Sequence, residues 1–369
     1  MKFSPIKFQG ALAAAGVSLM PFVYLQFSVP HGKGIVKLSD IIGQGLTSSP
    51  LTMFLLGIML LFAALHFVLT FAYLKNMASW VLNREEYKTF MNNAQLNIGI
   101  FSPIISLSMS LNVILGPVVL FFNISQPAIH SMLPLIFVIW GLLWFALFFL
   151  EAKSIKGWFM FPIEAEKLNF GWLLDVFAFG MISLVGAGIS AIPAGSKIAS
   201  LSAVMTLAAI STGIFLFVMK LIILIYHQLK ADKMPDKIFL PSYFVVVPIL
   251  CLWGISMYKY NAYLRTRFSY DLQGLSYFII MISFSGSVFC IFLFTYLLRD
   301  YYKNEFNKKE FYPSLWAPVC ALVGFEVLGS YVYGNYYRSQ VLLAACCLST
   351  VLAAGLYITN LVKYYRYGK

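Results

Sequence analysis

Charge is what this sequence has least of. Asp, Glu, Lys and Arg supply 11% of its 369 residues, against about a quarter in a soluble domain. That is too little polar surface to coat a water-soluble core, which excludes a soluble enzyme, a nucleic-acid binder and a disordered scaffold. The five cysteines (Cys251, Cys290, Cys320, Cys346 and Cys347) contain no CxxC and all fall in apolar segments. A disulfide framework and a zinc site are therefore not expected. HExxH, a Walker-type phosphate loop and a haem CxxCH are also absent from the sequence, so no metal and no cofactor is expected and the chain does not read as an enzyme. Gly186 to Ala191 matches the GxGxxA dinucleotide fingerprint, but it lies inside an apolar run with no preceding strand. Its small residues read as a close helix contact.

Apolar residues make up 60% of the chain, with 34 Phe, 22 Tyr and 7 Trp, and the mean hydropathy is +0.82. The composition is that of an integral membrane protein. About 20 apolar residues cross a bilayer as a helix. A scan at that length predicts ten spans: 8–29, 50–74, 97–122, 128–150, 170–193, 198–227, 240–258, 274–298, 314–333 and 339–362. The connections 123–127, 194–197 and 334–338 are short, so those helices should pair as antiparallel hairpins. No connection has room for a soluble domain, and 1–369 reads as one transmembrane domain. Lys2 and Lys7 precede a long apolar run whose small residues come too early for a cleavage site, so the first span is expected to be retained.

The net charge of +12 follows the loops. Eighteen Lys and Arg lie on the side of the N-terminus and seven on the other, where the loop 259–273 contributes Lys259, Arg265 and Arg267. Basic loops stay inside, so both termini are expected in the cytoplasm of a cell-membrane protein, and the charge serves topology and anionic headgroups instead of nucleic acid.

Prolines recur in the odd spans: Pro21, Pro103 with Pro117, Pro193, Pro241 with Pro248, and Pro318. Of the even spans, only the fourth holds one clearly inside, Pro134. Proline removes an amide donor and crowds the preceding turn, and a carbonyl freed within lipid needs protein or cavity water. The pattern predicts bent odd helices around a polar path and straighter even helices facing lipid. A weak repeat agrees: Gly16–Pro21 and Gly188–Pro193 both follow G-[VI]-S-x-[MI]-P, and Gly254-Ile255-Ser256 repeats its start. Ser18, Ser106, Ser190 and Ser256 are the candidate polar groups along the path.

At this point the sequence resembles the tellurite-resistance/dicarboxylate transporter family, which includes the plant slow-type anion channels. Residues 227–248 (HQLKADKMPDKIFLPSYFVVVP) are similar to that family's entry into its seventh helix. Residues 311–321 (FYPSLWAPVCA) are similar to the start of its ninth. The resemblance implies ten helices as five hairpins, odd helices lining a central pore in each protomer, a homotrimer, and a small anion as substrate. It also implies that a phenylalanine a few residues after Trp316 occludes the pore. Here that position falls on Cys320, followed by Ala321, with Pro318 two residues upstream. The departure leaves three expectations: a wider pore, closure by another aromatic such as Phe325, or a task for the Cys320 thiol.

Three charged residues lie within predicted spans: Asp175, Lys220 and Glu326. Each costs about 2.5–3.5 kcal/mol at a helix centre on insertion scales. Glu326 reads either as a proton-coupling or selectivity group on the path, or as the buried ion-pair partner of Lys220. Asp175 reads as interfacial or as a structural hydrogen-bonding group, and His66 as a satisfied structural histidine. The leading functional expectation is an anion channel or transporter. Its alternatives are a proton-coupled carrier using Glu326 and a thiol-dependent sulfur-compound handler using Cys320.

Overall fold

A computed structural model describes residues 3–32, 34–93, 96–160, 168–192 and 196–368. Pro193 lies outside the described residues. Among these residues the protein is helical throughout, with no strand and no cis peptide. Ten of its helices are long and apolar enough to span a membrane: Pro5–Ser28, Pro50–Leu82, Asn97–Phe121, Gln126–Met160, Phe170–Ala191, Lys197–Lys230, Leu240–Phe268, Gln273–Leu297, Pro313–Asn335 and Gln340–Tyr367. The second, fourth, sixth and tenth run on past the apolar stretch that marks them in the sequence, as does the seventh. The second and fourth reach 33 and 35 residues, because no helix breaker follows the membrane segment.

The two sets of helices differ in surroundings. In the most apolar stretch of each odd span, between 61% and 89% of residues are buried within the protein, against 17% to 50% in the even spans. Each even span packs on the odd span before it, and its outer face carries large apolar side chains such as Phe71, Phe145, Phe215, Phe292 and Leu348. In lipid such a face needs no cover. The odd spans touch one another in sequence, first to third, third to fifth, fifth to seventh and seventh to ninth, and the ninth returns to the first.

The odd spans also share a local design. Each opens with a 3-10 turn that passes into the α-helix: Pro5–Lys7, Asn97–Phe101, Phe170–Leu173, Leu240–Val245 and Pro313–Trp316. Pro103, Pro248 and Pro318, expected to bend their helices, stand near the start of the α segments. Pro103 and Pro318 are second, and Pro248 third, in the α segment that follows the 3-10 turn. There the missing amide costs least. Among the described odd-span prolines only Pro21 and Pro117 lie inside helical runs, and Pro117 is absorbed by a π turn over Ile114–Val118. Asn123 closes the turn between the third and fourth spans at φ 50°, a left-handed conformation that asparagine tolerates. Its side-chain oxygen accepts the Ser39 amide at 2.8 Å. Gly186 has no side chain because Thr206 and Trp140 occupy that space: a β-carbon would come within 2.2 and 2.4 Å of them.

Candidate functional site

The faces of the ninth span are fixed by what they touch. Val323 packs on Gly16 of the first span, and Gly324 on Pro248 and Cys251 of the seventh. Gly329 meets Cys346 of the tenth. At about 100° per residue, Cys320 falls between the sides facing the first and seventh spans, so it is turned toward those two inner helices. It is 9% exposed and a free thiol. Trp316 packs against Gly10 of the first span and against Tyr357 of the tenth, with ring centroids 5.0 Å apart. It braces the ninth span from the side.

Phe325 points elsewhere. Its ring stacks on Phe284 of the eighth span at 5.8 Å, which turns it toward an even helix and away from the enclosed space. The expectation that Phe325 replaces the missing plug is therefore corrected. Aromatics meet between odd spans at both ends: Phe170 of the fifth stacks on Tyr243 of the seventh at 4.2 Å, and Phe27 of the first, Tyr258 of the seventh and Tyr331 of the ninth cluster at the other end. Tyr331 lies 4.9 Å from the Phe27 ring and 5.4 Å from the Tyr258 ring. Tyr258 is held in place by donating its hydroxyl to Asn335 Oδ1 at 2.9 Å. Tyr331 follows Cys320 by eleven residues, about 16 Å along the helix.

Glu326 is fully buried. It lies on the side of the ninth span facing the first and tenth spans, where the Cys346 thiol approaches its backbone carbonyl at 3.7 Å. One carboxylate oxygen accepts from Ser330 at 2.7 Å and the other has no protein partner. The proposed pair with Lys220 is not formed. Lys220, also fully buried, donates to Asp175 Oδ2 and, at 2.9 Å, to the Trp172 carbonyl. Its ammonium lies 4.4 Å from the ring centroids of both Trp158 and Trp172. Asp175, read as interfacial or as a structural hydrogen-bonding group, is fully buried and hydrogen-bonded, and Glu151 of the fourth span lies beside it at 3% exposure. Asp175 and Lys220 thus join the fifth and sixth spans, with Glu151 of the fourth beside them and neither of its oxygens hydrogen-bonded.

The four candidate serines are all fully buried. Ser18 and Ser190 donate to carbonyls in their own helices, Ala15 at 2.8 Å and Ala187 at 2.9 Å, whereas the Ser106 and Ser256 hydroxyls have no protein partner. His66 bridges three helices: Nδ1 lies 2.8 Å from the Ala11 carbonyl and Nε2 2.8 Å from Ser110 Oγ. A carbonyl only accepts, so Nδ1 carries the proton, and the histidine is structural.

One residue escaped the sequence reading. Lys259 belongs to the seventh span, which continues to Phe268, and not to the loop after it. It is half-buried and has no hydrogen-bond acceptor, carboxylate or aromatic partner among the described residues. On the same span Leu252 packs against Gly180 of the fifth span and Pro248 against Gly324 of the ninth. Lys259 extends that stripe at helical spacing. A β-carbon built on Gly188 of the fifth span would lie 3.8 Å from Lys259 Nζ and meet no other described neighbour within 4 Å. The signal was available: no proline or glycine stands between Gly254 and Gly274 to end the helix at 258.

A ten-span, all-α, multi-pass membrane protein with five mutually packed inner helices is the class this architecture defines. The voltage-dependent anion channel family profile matches residues 3–365, and the chain belongs to that family. Its members are channels and transporters, not enzymes. No individually curated protein matches the sequence.

Proposed function

We propose that the protein is an anion channel whose path runs through the space enclosed by the five odd spans, with the five even spans set against lipid. The observation that carries this reading is the cycle of contacts from first to ninth span and back, in a chain of an anion-channel family. The free hydroxyls of Ser106 and Ser256 and the thiol of Cys320 fit a path that binds its anion weakly. Conduction needs entry to be favourable and exit easy. In this reading the five 3-10 turns at the odd-span starts form the mouth on the side of the termini, the cytoplasmic side if the basic loops stay inside. By its family resemblance the protein works as a homotrimer with one path in each protomer.

Cys320 stands where the resemblance sets an occluding phenylalanine, so the path is expected to be wider there. The test is nitrate and chloride flux into liposomes. Wild-type protein should conduct and Cys320→Phe should conduct several-fold less at equal incorporation. Equal flux would remove Cys320 from the path.

A proton-coupled carrier is the second reading, favoured by the one Glu326 oxygen that has no partner. It requires uptake to follow an imposed pH gradient and to lose that dependence in Glu326→Gln. The thiol-handling reading has no comparable support, since Cys320 is a free thiol and no other cysteine lies on the ninth span.

A further inference from the structure

We propose that Lys259 is the anion-binding group of the path: with Gly188 opposite, it forms a site for one small monovalent inorganic anion in the outer part of the odd-span interior. The inference rests on the anion-channel reading and adds to it the residue that recruits the ion.

The argument begins with how the charges inside the helical bundle are compensated. Lys220 is neutralised by Asp175 with Glu151 beside it, capped by a carbonyl and enclosed by two tryptophan rings. Glu326 is turned toward the first and tenth spans and takes a hydrogen bond from Ser330. Lys259 has none of this. An ammonium inside a membrane protein is costly unless paired, and the described residues supply no pair. Asp175 precedes Gly188 by thirteen residues on the fifth span, about 20 Å away along the helix, and is already engaged. The compensating charge must come from a mobile occupant.

The local shape fits one. Glycine at 188 leaves open room beside Nζ, since a β-carbon there would find only the ammonium within 4 Å. The neighbouring Tyr258 is not available to the ion in place of the lysine, because its hydroxyl is committed to Asn335. Arg265 and Arg267 follow on the same helix, exposed at its end, and set a positive approach to the site. A single ammonium offers one charge and three donors on a flexible stem. That suits a halide or nitrate held briefly and fits poorly with a dianion, which would be left half-neutralised.

The test uses full-length protein in liposomes, with sodium nitrate as the probe and sodium gluconate at equal ionic strength as the reference. Flux is measured against nitrate concentration, and in parallel the melting of purified protein is measured with and without nitrate. Wild type should show saturable flux and a nitrate-dependent rise in melting temperature. Lys259→Gln should raise the half-saturating concentration about tenfold or more, the loss expected for one charge-assisted hydrogen bond, and abolish the melting shift. Lys259→Arg should retain both. Gly188→Asp, which places a carboxylate beside the ammonium, should mimic the loss while folding at least as well as wild type. It supplies the answer if Lys259→Gln does not fold. Unchanged half-saturation in Lys259→Gln, or an unaltered nitrate response in Gly188→Asp, overturns the assignment and leaves the channel reading standing. Absence of wild-type flux overturns the channel reading instead, and the melting shift then decides Lys259 alone: a Lys259-dependent shift supports the site and none refutes it.

Discussion

Replacing Lys220 with methionine tests whether the charge cluster between the fourth, fifth and sixth spans holds them together. The side chain is fully buried, and methionine fills a similar volume, so the change removes charge and hydrogen bonds with little loss of packing. Asp175 would keep the Val176 amide at 2.7 Å and lose its counter-charge, with Glu151 still beside it. Breaking a buried pair by removing one partner costs about 3–5 kcal/mol, and the two tryptophan rings around the ammonium add about 1–2 kcal/mol of cation–π attraction. The single variant should therefore unfold far more readily in detergent than wild type, followed as loss of the folded peak in size-exclusion chromatography after heating. Asp175→Leu combined with Lys220→Met should recover most of that loss, because it replaces the pair by apolar groups and leaves no stranded carboxylate at 175. Strong coupling between the two changes is the signature of a direct contact. A stable single variant, or a double variant whose loss equals the sum of the two singles, would refute the account. The folded fraction of the single variant should still conduct anions, since the cluster stands outside the proposed path.

His66→Phe should remove the bonds to the Ala11 carbonyl and the Ser110 hydroxyl, leaving the latter only the Ser106 carbonyl at 3.2 Å, and destabilise the protein by about 1–3 kcal/mol. An unchanged melting temperature in detergent would show that the three-helix bridge contributes nothing. Outside the membrane, Lys237 joins the loop before the seventh span to the loop after the eighth, 3.3 Å from Glu305 and 2.7 Å from Glu310, while Lys308 lies 2.5 Å from Glu305. The hydrogen bond from Lys308, aided by Lys237, holds the Glu305 carboxyl below its ordinary value. Because that shift is downward, the contribution is present above the ordinary glutamate range and is lost as pH falls through the depressed value. Hydrogen exchange in residues 231–239 should accelerate modestly at acidic pH and high salt, the modesty reflecting solvent screening. Exchange that ignores both would refute the link.

The number of spans was legible because a bilayer demands about 20 apolar residues per crossing, and each crossing announces itself locally. The ends were less legible. Hydropathy marks where lipid stops, whereas a helix stops only at a breaker, so the second and fourth spans run on. Glu151 was lost to a loop in the same way that Lys259 was. The ion pair failed for a different reason. Lys220 and Asp175 are 45 residues apart, and composition says nothing about which buried charges meet. Topology does: in a hairpin turning at 194–197, residues 175 and 220 lie at comparable distances from the turn and so at comparable depth. Glu326 sits in a different pair of helices. The prolines misled because their chemistry permits two uses. A proline bends a helix from within or begins one, and only the 3-10 turns ahead of Pro103, Pro248 and Pro318 distinguish the cases.

The distribution of compensation carries the functional argument furthest. Lys220 and His66 are fully partnered: Lys220 has a carboxylate, a carbonyl and two rings, and His66 has a partner at each nitrogen. Unpartnered polar atoms occur on even spans too, at Glu151, Thr206 and Ser287, and those on the inner helices bear on the path. Ser106 and Ser256 have no partner, and neither has Lys259. Stability alone would favour satisfying or deleting each of them. A row of strong cations would hold an anion too tightly to release it, and a wholly apolar tube would admit none. One unpaired lysine on a flexible stem, with bare hydroxyls elsewhere on the inner helices, lies between those limits. That is the balance a conducting path requires.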